Sequence, residues 1–176
     1  MAQIKQDQAP DIKKTTWSAK RIAIMAIFIA LSAVGAMIKI PSPIGSIGLD
    51  SAPGYFSALA FGSLEGAIII AVGHLLSAAV VGFPLSIPIH LGIALCMAAW
   101  AVVFRAIGKQ GNMVMVAAAV IVASLLNSVV TGLLLIPVGG QVLYVANIVP
   151  LLVASAVNTI IAAIAYLSVK NSKLIG

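Results

Sequence analysis

The chain has 176 residues, 62% of them hydrophobic and 8% charged, with a formal net charge of +6. A water-soluble domain of this length needs far more polar surface, so the composition excludes one and predicts an all-α integral membrane protein. The positive balance suggests nucleic acid only until the charges are mapped, because they sort between apolar runs instead of forming a patch.

Lys5, Lys13, Lys14, Lys20 and Arg21 precede the first apolar run. Arg105 and Lys109 separate the fourth from the fifth, and Lys170 and Lys173 follow the last. With six transmembrane helices all three clusters fall on one side, which the positive-inside rule makes the cytoplasm, so both termini are cytoplasmic. The expected layout is a cytoplasmic tail over 1–16, a single six-helix membrane domain over 17–170 and a cytoplasmic tail over 171–176.

In chain order, Trp17 marks an interfacial anchor and Lys20-Arg21 opens the first span, which runs from Ile22 to Ile38. A secretory signal ending at Ala33-Val-Gly-Ala36 is the rival reading, but cleavage would discard a span that the charge map uses. Ala26, Ala30 and Ala33 follow i, i+4, i+7 and form a smooth strip. Such a strip admits a close-packed helix, either of this chain or of a separate membrane subunit. The next stretch, Lys39-Ile-Pro-Ser-Pro-Ile-Gly-Ser-Ile-Gly-Leu-Asp50, cannot be helix, since its prolines lack N–H donors and its glycines permit positive φ. It reads as a lid over a site on the outer face, with Lys39 and Asp50 bracketing it and free to pair.

The second run, Ala52 to Phe61, is roughly 15 Å long as a helix and cannot cross ~30 Å of hydrocarbon alone. Gly62-Ser-Leu-Glu-Gly66 reads as a tight cytoplasmic-side turn, with Glu65 compensating the dipole of the next helix. The third run, Ala67 to Val81, carries His74. Val81 to Pro88 is the second outer loop, and the fourth run, Ile87 to Phe104, has His90 in its first turn. The fifth run, Met113 to Ile136, and the sixth, Val142 to Val169, flank a third outer loop at Pro137 to Gln141.

Catalytic chemistry lacks parts. No phosphate-binding loop is present, since Gly108-Lys109 is followed by Gln110 and preceded by no suitable glycine. Beyond the tail only Asp50 and Glu65 are acidic, and the turns put them on opposite faces. His74 and His90 lack a third metal ligand, and Cys96 stands alone in an apolar run. The chain is therefore expected to be no enzyme and to carry no metal or cofactor.

A binding pocket is the alternative use of the polar groups. Ser124, Asn127, Ser128 and Thr131 share one helical face, and Asn147 and Asn158 share a face of the last helix. Counting helical rise puts Asn127 roughly 14 Å and Asn147 roughly 8 Å below their outer ends, whereas Asn158 lies some 24 Å down. His74, His90, Asn127 and Asn147 are thus expected to converge under the lid. Ser124, Ser128 and Asn158 are expected to bond neighbouring helices. Tyr55, Phe56, Phe83 and Tyr144 can sandwich a flat ring or serve as interfacial belt residues. Such a pocket suits a neutral, part-aromatic, hydroxylated ligand.

The chain resembles the substrate-binding S components of energy-coupling factor (ECF) vitamin transporters, over about Arg21 to Lys170. The carriers are Ala26-Ile-Phe-Ile-Ala30, the proline- and glycine-bearing first outer loop and the short second helix. Gly35-Ala-Met-Ile-Lys-Ile-Pro-Ser-Pro43, Leu49-Asp-Ser-Ala-Pro-Gly54 and Gly73-His-Leu-Leu76 through Phe83-Pro-Leu-Ser-Ile-Pro-Ile-His90 are similar to the α-ribazole S components, which bring a cobalamin precursor into bacteria that salvage it. The resemblance implies a membrane coupling protein and two cytoplasmic ATPases as partners in the lipid bilayer, with Ala26 and Ala30 facing the coupling protein. It also implies that the outer loops bound the ligand and that the protein topples to carry it inward. Two other readings stay open: an S component for cobalamin or another vitamin, and a self-sufficient small carrier or channel.

Overall fold

The computed structural model of the protein describes residues 17–172. The basic residues Lys5, Lys13, Lys14 and Lys173, and the tail over 1–16, lie outside the described residues. Helix α1, Ala19–Gly35, starts where the Ser18 side chain accepts the Arg21 N–H at 3.2 Å. It is followed by β1 (Lys39–Ser42) and β2 (Gly45–Gly48), then by α2 (Ala52–Ala60), α3 (Ser63–Val80) and α4 (Ile87–Gly108). Helix α5, Met113–Leu125, begins with the Asn112 side chain accepting the Met115 N–H. It continues through a π-helical turn, Leu126–Val130, and a 3₁₀ turn, Thr131–Leu135, into α6, Ile136–Val169.

One expectation needs correction. The chain is not wholly helical: the stretch read as a lid folds as an antiparallel hairpin, pairing Lys39 with Gly48, Ile40 with Ile47, Pro41 with Ser46 and Ser42 with Gly45. Prolines tolerated on an edge strand and a glycine at φ 104° in the turn make the hairpin the conformation left open. The Leu49 N–H to Ile38 carbonyl bond, 3.0 Å, closes its base. Among the described residues, three stretches are long and apolar enough to cross a membrane: Ser63–Val80, Ile87–Gly108 and the 57-residue run Met113–Val169. Helix α1, with 17 residues, extends roughly 26 Å.

The 57-residue run is folded back on itself. Gly139 (φ −144°, ψ 22°) and Gly140 (φ 70°, ψ −171°) interrupt the helix, and only glycine takes the second conformation without strain. Contacts then climb in opposite directions along the two legs. Tyr144 reaches Val129, Asn127 meets Ser155, Ser124 meets Thr159 and Lys170 reaches Gly111.

Nine residues make a helix too short to persist alone in water, and α2 persists because four longer helices, α1, α3, α4 and α6, surround it. Tyr55, Ala58 and Leu59 join Phe104, Ala101, Ala119 and Ala162 in the core, where alanines let backbones approach closely. At Gly54 a Cβ would stand 2.4 Å from Ile70 Cβ, so this contact between α2 and α3 requires glycine. Both ends of α2 are held from outside. Asn158 Oδ1 on α6 accepts the Ser51 and Ala52 N–H groups at 3.1 and 2.8 Å. Arg105 Nη1 on α4 donates to the Ala58 and Leu59 carbonyls, placing a cation at the helix C-terminus.

Large apolar side chains face outward all round, among them Ile27, Leu95, Val114, Ile121, Val142 and Ile164. That arrangement inverts a soluble domain and suits hydrocarbon. The end of the bundle away from the hairpin carries Arg21, Glu65, Arg105 and Lys170. There Arg21 pairs with Glu65 in the first turn of α3 at 2.5 Å, and Lys170 Nζ donates to the Gly111 carbonyl.

Candidate substrate-binding site

Under the hairpin lies a cavity of about 140 Å³. The hairpin supplies Ile44, Ser46 and Ile47 to its wall, and the ends of α3 and α4 supply His74 and His90. Asn127 and Thr131 come from the π and 3₁₀ turns, and α6 contributes Leu151, Ala154, Ser155 and Asn158 at i, i+3, i+4, i+7. Lys39, Asp50, Ser51 and Ser77 add further polar groups, and most of the remaining wall is apolar, with Leu85, Met97 and Leu135 prominent. An apolar chamber with a few placed polar groups is the general form of a small-molecule site.

The polar groups are connected. Asp50 is buried at the foot of the hairpin, and its Oδ2 stands 3.4 Å from His74 Nδ1. His74 Nε2 stands 3.2 Å from His90 Nδ1. His90 Nε2 is buried with no protein partner among the described residues. Asn127 Nδ2 donates to Ser155 Oγ, which leaves Asn127 Oδ1 buried and also without a partner. Thr131 Oγ1 accepts the Trp100 indole N–H at 2.8 Å. Two cavity-lining residues thus keep a buried polar atom unmade, which is costly in a protein that closes on itself and reasonable where a ligand completes the bond.

Of the residues singled out from sequence, Lys39, Asp50, His74, His90 and Asn127 line this cavity. Four others do not. Tyr55 lies in the core, 1% exposed, with its ring edge-on to Phe104 at 5.0 Å. Phe83 stands behind the wall, its ring 5.6 Å from that of His90. Tyr144 packs beside Gly132, and its hydroxyl reaches the Val129 carbonyl at 3.3 Å. Asn147, fully buried, sits one turn beyond Leu151 and donates to the Leu143 carbonyl of its own helix. None of Tyr55, Phe56, Phe83 and Tyr144 lines the cavity, whose wall is mostly aliphatic. Asp50 pairs with His74 and not with Lys39.

Asn158 is the residue that sequence reasoning undervalued. It bonds a neighbouring helix as expected, yet it also lines the cavity, because the segment it holds, Ser51-Ala52, leads down from the hairpin. Ser124 and Ser128 bond Thr159 and the Ile148 carbonyl and stay off the wall. On α1, Ala26 and Ala30 are exposed and Ala33 is half-buried, while Met25 and Ser32 on the other face are buried.

A family model for the substrate-specific component of ECF transporters matches residues 20–169. No curated protein matches at a significant level. A solved structure of the S component of a bacterial ECF transporter shares the fold, with a TM-score of 0.65 at 20% sequence identity over 86% of this chain and 96% of its own. The cavity, the short buffered α2 and the apolar exterior fit that description, and the chain belongs to the substrate-specific components of ECF transporters, the non-catalytic, substrate-binding membrane subunits of those importers.

Proposed function

We propose that this chain binds α-ribazole and serves cobalamin salvage in a bacterial cytoplasmic membrane. The observation that carries the reading is the size and lining of the cavity. About 140 Å³ is the scale of the ~150 Å³ engineered cavity that takes benzene. A dimethylbenzimidazole suits the aliphatic wall, and ribose hydroxyls suit His90 and Asn127, with the hairpin lifting to admit the sugar. A corrinoid is far too large for this space, which weighs against cobalamin itself.

In this reading six segments cross the membrane with both termini cytoplasmic, α2 completing its crossing together with the extended segment above it. The gathering of Arg21, Arg105 and Lys170 away from the hairpin supports that orientation. Ala26 and Ala30 meet a membrane coupling protein, which two cytoplasmic ATPases drive, and the loaded protein topples to deliver its ligand. The exposure of those alanines, opposite a buried face, supports the docking.

Isothermal titration of the detergent-purified protein tests the substrate: heat and tight binding are expected with α-ribazole and none with cobalamin. Heat with a different vitamin and none with α-ribazole would remove the claim. In the same experiment Ala30→Trp should bind as the parent does while uptake by the reconstituted complex is lost. An equal fall in binding would return the strip to internal packing.

A further inference from the structure

Asp50, His74 and His90 are arranged in series and do not converge on a point. A carboxylate oxygen meets Nδ1 of the first ring at 3.4 Å, and Nε2 of that ring meets Nδ1 of the second at 3.2 Å. Each contact constrains the next. A carboxylate facing a bare ring nitrogen would set two lone pairs against each other, so Asp50 favours a proton on His74 Nδ1. A neutral His74 then has a lone pair at Nε2, and the contact with His90 is satisfied only if His90 donates from Nδ1. His90 Nε2 is left with a lone pair, buried and without a protein partner. Lys39 and Asp50 line the same cavity with opposite charges.

We propose that Asp50 and His74 are positioning residues that fix the proton of His90 on Nδ1, so that His90 Nε2 offers the ligand an acceptor and selects molecules bearing an O–H or N–H donor there. The polarity is not a property of His90 alone. Reversing the chain at Asp50 would turn the same atom into a donor. Asn127 presents the same character, since its amide nitrogen is spent on Ser155 and its oxygen is left over. A site with two acceptors favours a neutral hydroxylated or N–H-bearing ligand and disfavours carboxylates and phosphates at that wall. The claim about the ligand rests on the binding role proposed above; the claim about the proton does not.

Nitrogen NMR of the full-length, histidine-labelled protein in lipid nanodiscs, without ligand, tests the proton directly. Both rings should be neutral, with a protonated Nδ1 and an unprotonated Nε2. In Asp50→Ala the Nε2–H form of His90 should appear, although the chain places His74 between the two residues. A wild-type His90 protonated at Nε2, whether by a reversed tautomer or because His74 carries two protons, would overturn the proposal. So would a His90 tautomer indifferent to Asp50, and the wild-type spectrum decides the matter even if the variant does not fold. The ligand side is tested by titrating α-ribazole against its 2′,3′-di-O-methyl derivative: at least a tenfold loss of affinity is expected, and equal affinity would overturn donor selection. Absence of binding by α-ribazole itself would sink the substrate reading and leave the NMR result standing.

Discussion

The two ends of the bundle use polar chemistry in opposite ways. At the charged end, Arg21 is committed to Glu65, Arg105 to two carbonyls that end α2, and Lys170 to the Gly111 carbonyl. At the hairpin end, His90 and Asn127 each keep a buried atom with no partner among the described residues. The first set fastens helix ends whose free carbonyls and N–H groups would otherwise face hydrocarbon. The second set is held in readiness. An unbonded buried atom marks the site only where it also lines the cavity, because Asn147 Oδ1 and Arg21 Nε are likewise buried without a partner among the described residues and lie off it.

Substitutions can break or sharpen that contrast. The largest effect is expected at Asn158, which fastens the start of α2 and also lines the cavity. Asn158→Leu strands two buried N–H donors at the start of α2, at roughly 1–3 kcal/mol for each. Thermal unfolding followed by tryptophan fluorescence should fall sharply, and ligand affinity should fall with it. A change in affinity alone would place Asn158 in the site and not in the frame. Next comes Arg105→Met, which removes the charged donor from the Ala58 and Leu59 carbonyls, a loss of roughly 1.5–3 kcal/mol. Here the melting temperature should drop while the affinity of the folded fraction is unchanged; a weakened affinity would show that the two ends are coupled through α2. The smallest effect on the fold belongs to Asn127→Ala. It should cost about 1–3 kcal/mol in affinity and leave the melting temperature of the ligand-free protein close to that of the parent. Unchanged affinity would move Asn127 to the scaffold.

Much of this was legible from residue chemistry. Two prolines and two glycines marked residues 39–50 as the one stretch that must leave the helix, and the turn at Pro137 to Gln141 fell where Gly139 and Gly140 break the last helices. Of His74, His90, Asn127 and Asn147, expected to converge in the outer half, the first three line one cavity and Asn147 does not. What failed was contact. Counting rise along a helix gives depth below that helix's own end and says nothing of tilt or of where a neighbour begins. Rise alone puts Asn158 in the inner half, because nothing in the sequence says that the start of α2 descends to it. Tyr55, Phe83 and Tyr144 were grouped by side of the membrane, but which way a ring turns depends on the gap beside it. Strand pairing in the hairpin gave no periodic signal over four residues a side.

The two irregular turns of the fifth segment have a geometric effect of their own. Residues 126–130 wind more slowly than a regular helix, and residues 131–135 wind faster. At 120° per residue against 100°, five residues of the tight form recover about 100° of azimuth, about what the loose form gives up. The lipid-facing and core-facing stripes therefore resume their bearing before the chain doubles back, and the rotation is confined to one short window. Asn127 and Thr131 sit inside that window, so the segment can swing its polar side chains toward the chamber and still meet its partner leg in step.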